Sequence, residues 1–432
     1  MNKKVIGNIK WIIACRLVQS VVSLVIGMLM ARYLGPSNYG IINYASALVA
    51  FATPFMQLGL NSILVYEFIR YPEREGETLG TALLTNMISS VVCMAGVIAF
   101  ARITNRDETQ TVIVCALYCT VLFFQAFELF RYWFNAKLLS KYSALSICVA
   151  YILASVYKCY LLITGKSIYW FALINSLDSV ITATLFFVLY RRFGGQKLRF
   201  SASRVKEMLK SGRPFIVSSL MITFFTQTDK IMLKMMLGEI TTGYYSAAVT
   251  SAAMFGFVYA AVIDSFRPMV LGQKCDGDTN YENTVKTLYS VVIYMSLAQC
   301  LVMTFFSDLI VAILYGKEFA PTAEVLRWVV WFTTFSYIGG IRSVWLQAEG
   351  KQRYLWVFNL TGAILNVTLN WILIPKLGMH GAAIASVVSQ MFTNVVLGAM
   401  IKNVRENNRL MFCGLNPLYV VNFIKSMCIG DR

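Results

Sequence analysis

Apolar runs of about 20 residues recur from one end of this chain to the other, and a run of about that length spans the roughly 30 Å hydrocarbon core of a bilayer at about 1.5 Å per residue. Hydrocarbon offers no water to an open backbone, so only helices and closed barrels cross it, and barrel strands need only about half that length. Of the 432 residues, 58% are hydrophobic and 14% charged, and the mean hydropathy is +0.63, far from the make-up of a soluble domain. The sequence therefore predicts an all-α polytopic membrane protein. Its expected spans, numbered 1 to 12, are 11–33, 41–63, 79–101, 109–131, 144–165, 168–190, 214–237, 242–265, 288–314, 321–344, 354–375 and 380–402.

A formal net charge of +17 would point a soluble chain toward nucleic acid, but the basic residues are not spread evenly. With the N-terminus in the cytoplasm, the inner segments hold Lys3, Lys4, Lys10, Arg70, Arg74, Arg131, Lys137, Lys141, Arg267, Lys274, Lys286, Arg342, Lys351, Arg353, Lys402, Arg405 and Arg409, and eight more lie between Arg191 and Arg213. The outer loops hold only Arg32, Arg102, Arg106, Lys166, Lys317 and Lys376. This is the bias of the positive-inside rule, so the basicity sets topology and implies no nucleic-acid partner. Cys15, Cys93, Cys115, Cys119, Cys148, Cys159 and Cys300 fall inside apolar runs, where they read as small packing residues. Span 1 carries Arg16 and Gln19 with no small-residue cleavage site after it, and reads as a retained helix rather than a leader.

The halves resemble each other. Leu34-Gly35 precedes Gly40 as Leu237-Gly238 precedes Gly243, 203 residues later. The same offset carries Arg16, Ser20, Ser23 and Gly27 of span 1 onto Ser219, Thr223, Thr226 and Lys230 of span 7, both stripes following helical spacing. We expect an N-lobe, 1–190, and a C-lobe, 214–402, each of six helices, with a basic cytoplasmic linker, 191–213, and a cytoplasmic or interfacial tail, 403–432. Two halves that both begin in the cytoplasm are parallel repeats, related by a pseudo-twofold axis along the membrane normal, with the substrate path between them. In the linker, Val205, Met208 and Leu209 share one helical face, which predicts a helix lying along the cytoplasmic surface. Residues 411–424 read as an interfacial segment or a partial thirteenth span.

A charge at mid-bilayer costs at least about 2.5 kcal/mol on insertion scales and marks a pathway or a bundle interior. The cations expected at depth are Arg16, Lys158, Lys230, Lys234 and Arg327, and the acids are Asp178 and Asp229. Arg16, Lys234 and Arg327 are near helix ends, where snorkelling competes with a substrate role. Asp178 and Asp229 are either ion-pair partners of Lys158 or Lys230 or sites of ion coupling. Gln19, Gln227, Asn366, Asn370 and Gln390 add amides along helical stripes, suited to sugar hydroxyls or to bonding one helix to another. No Walker A motif is present, because the glycine required before Gly165-Lys166-Ser167 is Tyr160. The single histidine, His380, excludes an HExxH zinc site, and neither metal nor cofactor is expected. A membrane glycosyltransferase or polymerase would need an extramembrane catalytic segment, and the largest one between spans, 191–213, holds one acid, Glu207.

The segments ARYLGPSNYGIINYASA after span 1, TDKIML at the end of span 7 and PKLGMHGAAIAS before span 12 resemble the polysaccharide-transporter branch of the multidrug, oligosaccharidyl-lipid and polysaccharide exporter superfamily. That resemblance, over residues 1 to about 402, implies a flippase of the bacterial inner membrane. It would carry undecaprenyl-diphosphate-linked oligosaccharide units of O-antigen or capsule by alternating access, alongside membrane lipids and partners such as a polysaccharide polymerase and chain-length proteins. A diphosphate head is strongly anionic, so Arg16, Lys158, Lys230, Lys234 and Arg327 become expected phosphate contacts. Within the superfamily the rivals are an organic-cation antiporter, which needs cavity carboxylates where span 1 offers Arg16, and a lipid II flippase, usually with two further helices.

Overall fold

A computed structural model describes the backbone of residues 3–429 and the side chains of Cys15, residues 17–423 and Lys425; the Arg16 side chain, expected in the path, lies outside the described residues. The chain divides into two compact units at Met235/Met236. The first holds α1 (Lys3–Gln57), α2 (Leu60–Arg70), α3 (Glu75–Thr104), α4 (Thr109–Cys119), α5 (Val121–Gln125), α6 (Phe130–Ala136), α7 (Ser140–Ile163), α8 (Ile168–Arg192) and nearly all of α9 (Ala202–Leu237). The second holds α10 (Glu239–Ala252), α11 (Gly256–Asp276), α12 (Tyr281–Phe305), α13 (Ser307–Leu314), α14 (Pro321–Val329), α15 (Trp331–Ala348), α16 (Leu355–Leu377), α17 (Met379–Met391), α18 (Leu397–Met400), α19 (Arg405–Cys413) and α20 (Leu418–Ile429). All regular structure among the described residues is helical.

Nine stretches among the described residues are long and apolar enough to cross a membrane, against the twelve spans expected, and the difference has identifiable causes. Expected spans 1 and 2 form one stretch, Leu17–Arg70, of 54 residues, about 80 Å of helix and far more than one bilayer. Gly35, at φ 68° and ψ 172°, breaks that stretch just before Pro36, and Leu58 and Gly59, at φ 51° and 69°, break it again before α2. Expected span 7 lies in α9, where hydroxyls, Gln227 and lysines dilute the apolar run. Expected span 10 is divided between α14 and α15 and carries Arg327 and Arg342.

Gly238, between α9 and α10, has φ 88° and ψ −178°, nearly the same backbone as Gly35 at the position 203 residues earlier. Side chains are excluded from that region, which is open essentially to glycine alone. The sequence match between the halves is therefore also a match of backbone geometry at one sharp turn.

Each unit builds its own core. In the first, Leu64, Phe68, Leu79, Phe130, Trp133, Phe186 and Tyr190 pack together, with the Tyr190 ring 4.8 Å from Trp133 and 5.1 Å from Phe130. In the second, Tyr259, Val285, Tyr289, Ile341, Trp345 and Phe358 on α11, α12, α15 and α16 close around Leu410 and Met411 of α19. Lipid tails are as apolar as these side chains, so close packing rather than expulsion from water holds such cores together.

The segment 191–213 packs on the first unit. Residues 193–201 form a strap across the first unit: Tyr190 Oη donates to the Gln196 carbonyl (2.8 Å), the Arg199 amide to the Gly76 carbonyl (3.1 Å), and the Ser201 amide to Thr81 Oγ1 (3.0 Å). Residues 202–213 then begin α9 itself. Met208, expected to face lipid headgroups, is 3% exposed in the first unit's core, and Arg204 bridges Glu67 (3.2 Å) and Glu207 (3.0 Å). Val205 and Leu209 of the same face are half-buried. We predict that Gly35→Ala and Gly238→Ala each destabilise the purified protein by about 1–3 kcal/mol, read as a lowered Tm in detergent. A Cβ at Gly238 meets no atom within 4 Å, so its loss comes from backbone strain alone; Gly27→Ala, in open space within α1, is expected to be neutral or slightly stabilising.

Candidate functional site

The stripe expected on span 7 sits along α9. Ser219, Thr223, Gln227 and Lys230 are half-buried, whereas Val217, Ile222 and Phe224 are exposed. Lys230 lies seven residues before the helix end at Leu237, about 10 Å along the axis. Among the described residues it makes no hydrogen bond or ion pair, although Asp229 beside it is within electrostatic reach. Asp229 is itself 8% exposed. Lys234, one turn on, is 4% exposed and its Nζ donates to Glu108 Oε2 at 2.5 Å. Glu108 precedes α4, so the far end of α9 is held on the first unit by an ion pair as its near end is held by Arg204.

A second group of charges lies on α7, α8 and the turn before α6 in the first unit. On α7, Lys158 Nζ donates to Asn175 Oδ1 at 3.4 Å, with Asp178 within electrostatic range. Asp178 in turn shares a cavity of about 140 Å³ with Glu128, Arg131, Ser179 and Thr182. Phe124 forms part of that wall and also of a larger apolar cavity of about 460 Å³, lined by Tyr157, Trp170, Leu173 and Leu177. Thr120 and Ser176 join α4 to α8 through hydroxyls 2.6 Å apart. The first unit thus carries two acids and a guanidinium around one small cavity, with an apolar chamber next to it.

In the second unit the polar groups form a seam on α16 and α17. Asn366 and Asn370 are 1% and 0% exposed, and Asn370 Nδ2 donates to Asn366 Oδ1 at 3.0 Å. Gln390 accepts from Asn394 Nδ2 at 2.7 Å, while Tyr245 and Ser386 bring their hydroxyls to 3.2 Å. Asn366 Nδ2, Ser389 Oγ and Thr393 Oγ1 are buried without a hydrogen-bond partner among the described residues, the kind of group that a water or a polar ligand satisfies. Arg327 stands apart from this seam: Nε donates to Ser307 Oγ at 2.8 Å and the guanidinium pairs with Asp308.

The structure therefore brings together Lys158, Asn175 and Asp178 in the first unit, and Asn366 with Asn370 in the second. It places Gln19 half-buried on α1 and gives Lys234 and Arg327 acid partners. Sequence reasoning passed over Asn394 and the pairing of Glu108. It counted Arg131 and Arg342 among the topology-setting cations, yet Arg131 lines the cavity with Asp178 and Arg342 is 2% exposed; the place of Arg342 inside the expected span 321–344 was the available signal.

Helices crossing a membrane in two units, with charges and amides gathered at depth inside each, define a multi-span membrane transporter. The same fold is found in solved structures: a lipid II flippase MurJ in an inward-closed conformation (TM-score 0.72, 15% identity, 95% of this chain and 92% of that one) and an inward-facing multidrug resistance MATE family transporter (TM-score 0.65, 16% identity, 91% and 95%). Residues 5–269 match the polysaccharide biosynthesis protein family, and residues 214–372 match the MatE family. The chain belongs to the polysaccharide biosynthesis protein family, a branch of the multidrug, oligosaccharidyl-lipid and polysaccharide exporter superfamily whose members are transporters and not enzymes. It is 20% identical over 401 residues to the capsular polysaccharide biosynthesis protein CapF of Staphylococcus aureus, covering 89% of this chain and 96% of that one.

A double-mutant cycle tests the attachment of α9. Glu108→Gln and Lys234→Met are each expected to lower the Tm in detergent, and the double variant to lose less than their sum, a coupling of about 0.5–3 kcal/mol. Strict additivity would show that the pair contributes nothing.

Proposed function

We propose that this polysaccharide export transporter is a flippase for undecaprenyl-diphosphate-linked oligosaccharide repeat units, of O-antigen or capsule, in a bacterial inner membrane with its N-terminus in the cytoplasm. The observation that carries the reading is Lys230: an ammonium part-way along a membrane helix, half-buried, with neither hydrogen bond nor ion pair among the described residues. Holding such a charge at depth costs at least about 2.5 kcal/mol on insertion scales unless an anion visits it, and a diphosphate head is that anion. Lys158, held only by an amide oxygen at 3.4 Å, is the second proposed phosphate contact. Arg16 belongs to the same expected stripe, while Lys234 and Arg327 act alongside the acids they pair with.

In this reading Gln19, Gln227, Asn366, Asn370 and Gln390 offer amides to sugar. The orphaned amide and hydroxyls of the α16–α17 seam support that assignment. Twelve spans in two six-helix halves, with α9 and the α14–α15 pair crossing despite their polar content, would move the unit by alternating access. Polysaccharide polymerase and chain-length proteins would take up the delivered unit. The cavity shared by Glu128, Arg131 and Asp178 favours a place for a coupling cation, with Asp178 as its proposed carboxylate and Asp229 as a second. The same two acids are what an organic-cation antiporter would need, and this keeps that alternative in view.

Complementation of a flippase-deficient bacterium supplied with repeat-unit synthesis genes decides between them. Wild type is expected to restore surface polysaccharide, Lys230→Ala to reduce it about tenfold or more at equal membrane abundance, and Lys230→Arg to retain most of it. No restoration with any repeat unit, together with efflux of cationic dyes that Asp178→Asn abolishes, would replace the flippase by the antiporter.

A further inference from the structure

Between α17 and α18, residues Phe392–Val396 form a π-helical turn. Widening a helix by one residue takes carbonyls out of the regular i to i+4 ladder, and π turns of this kind gather at functional sites. In hydrocarbon the released carbonyls must be met by other groups of the protein. Here three consecutive ones are. Arg342 on α15 donates from Nη1 to the Thr393 carbonyl at 3.0 Å and from Nη2 to the Asn394 carbonyl, and Asn408 Nδ2 on α19 donates to the Val395 carbonyl.

The guanidinium is itself clamped. Asn407 Oδ1 accepts from Nε at 3.2 Å and Asn408 Oδ1 from Nη2 at 3.3 Å, the Phe358 ring lies 4.6 Å from its carbon, and Tyr289 Oη donates to Asn407 Oδ1 at 3.0 Å. No carboxylate lies within ion-pair distance of Arg342 among the described residues, so oxygens of amides and peptides are its counter-charge. Room for the arrangement comes from small residues: a Cβ at Gly339 would overlap the Asn394 amide, and one at Gly398 the Asn408 amide. A buried charge without an acid is a costly way to fill a core that an apolar side chain fills more cheaply. The cost is understandable if the turn does something that a plain α-helix would not.

What it does is aim Asn394. The carbonyl of that residue is held by Arg342, and its side-chain amide donates to Gln390 Oε1 at 2.7 Å. We propose that Arg342, clamped by Asn407 and Asn408, is a positioning residue for transport: it holds the π turn of Phe392–Val396 and, through Asn394, sets the orientation of the Gln390 amide. The inference rests on the proposed function insofar as Gln390 meets the sugar. It also gives α19 a role, since the helix that follows the last expected span supplies both clamping asparagines.

Deleting one residue of the turn, Val395, closes it to an α-helix and removes the need for a donor, so the test pairs that deletion with Arg342→Leu. Arg342→Leu alone is expected to yield little monodisperse protein in detergent, and the combination to regain at least half the wild-type yield. With Cys93, Cys159, Cys275, Cys413 and Cys428 replaced by Ser, the maleimide labelling rate of Gln390→Cys is expected to change at least fivefold between the wild-type background and the combination. Reconstituted in liposomes, the combination and Arg342→Lys, which loses the planar fork, should raise the apparent KM for a farnesyl-diphosphate-linked oligosaccharide about fivefold or more with little change in maximal rate. A combination no better folded than Arg342→Leu alone overturns the proposal, as does an unchanged labelling rate or an unchanged KM. Should wild-type protein move none of the probe, the flippase reading fails, and the labelling rate still decides whether Arg342 positions residue 390.

Discussion

Hydrocarbon supplies no hydrogen bonds, and every charge, amide and interrupted carbonyl at membrane depth has to find its partner in the chain or in the cargo. The polar residues of this protein divide along that line. Arg342 is saturated by carbonyl and amide oxygens, Lys234 by Glu108 and Arg327 by Asp308 and Ser307. Lys230 has no such partner among the described residues, and Lys158 has one long bond to an amide. The first group holds helices where they are, and the second supplies the anion contacts of the proposed function.

The same constraint explains where the helices break. A continuous helix of 54 residues cannot stay within one bilayer, and glycine at a backbone geometry closed to other residues turns it at Gly35 and turns the chain again at Gly238. Within the first unit α9 is attached near both ends, by Arg204 to Glu67 and by Lys234 to Glu108. Between these attachments the Phe224 ring packs edge-on against Phe51 of α1, 4.9 Å away.

The helical, multi-span class was legible because hydropathy over 20 residues is a local property, and the like turns at Gly35 and Gly238 were legible because a backbone open only to glycine leaves its mark in the sequence. Less of the site could be read. The polar stripe of α9 and the Asn366–Asn370 pair were visible as helical spacing. Arg342 looked like one more cytoplasmic cation, because its partners, Asn407 and Asn408, are 65 and 66 residues away in the chain. Lys234 and Glu108 are 126 residues apart, too far for any periodicity to join them. The segment 202–213 showed an amphipathic face, and nothing local could distinguish a membrane surface from the core of the first unit as the place for Met208.

Sequence by itself determined that this chain is helical and crosses a membrane repeatedly, since both follow from composition within a window. Only the tertiary structure decided which charges pair with partners distant in the chain, where the long helices end, and that a π turn is built around Arg342. Those outcomes depend on partners distant in the chain, and in a medium without water the partner determines what a polar group does.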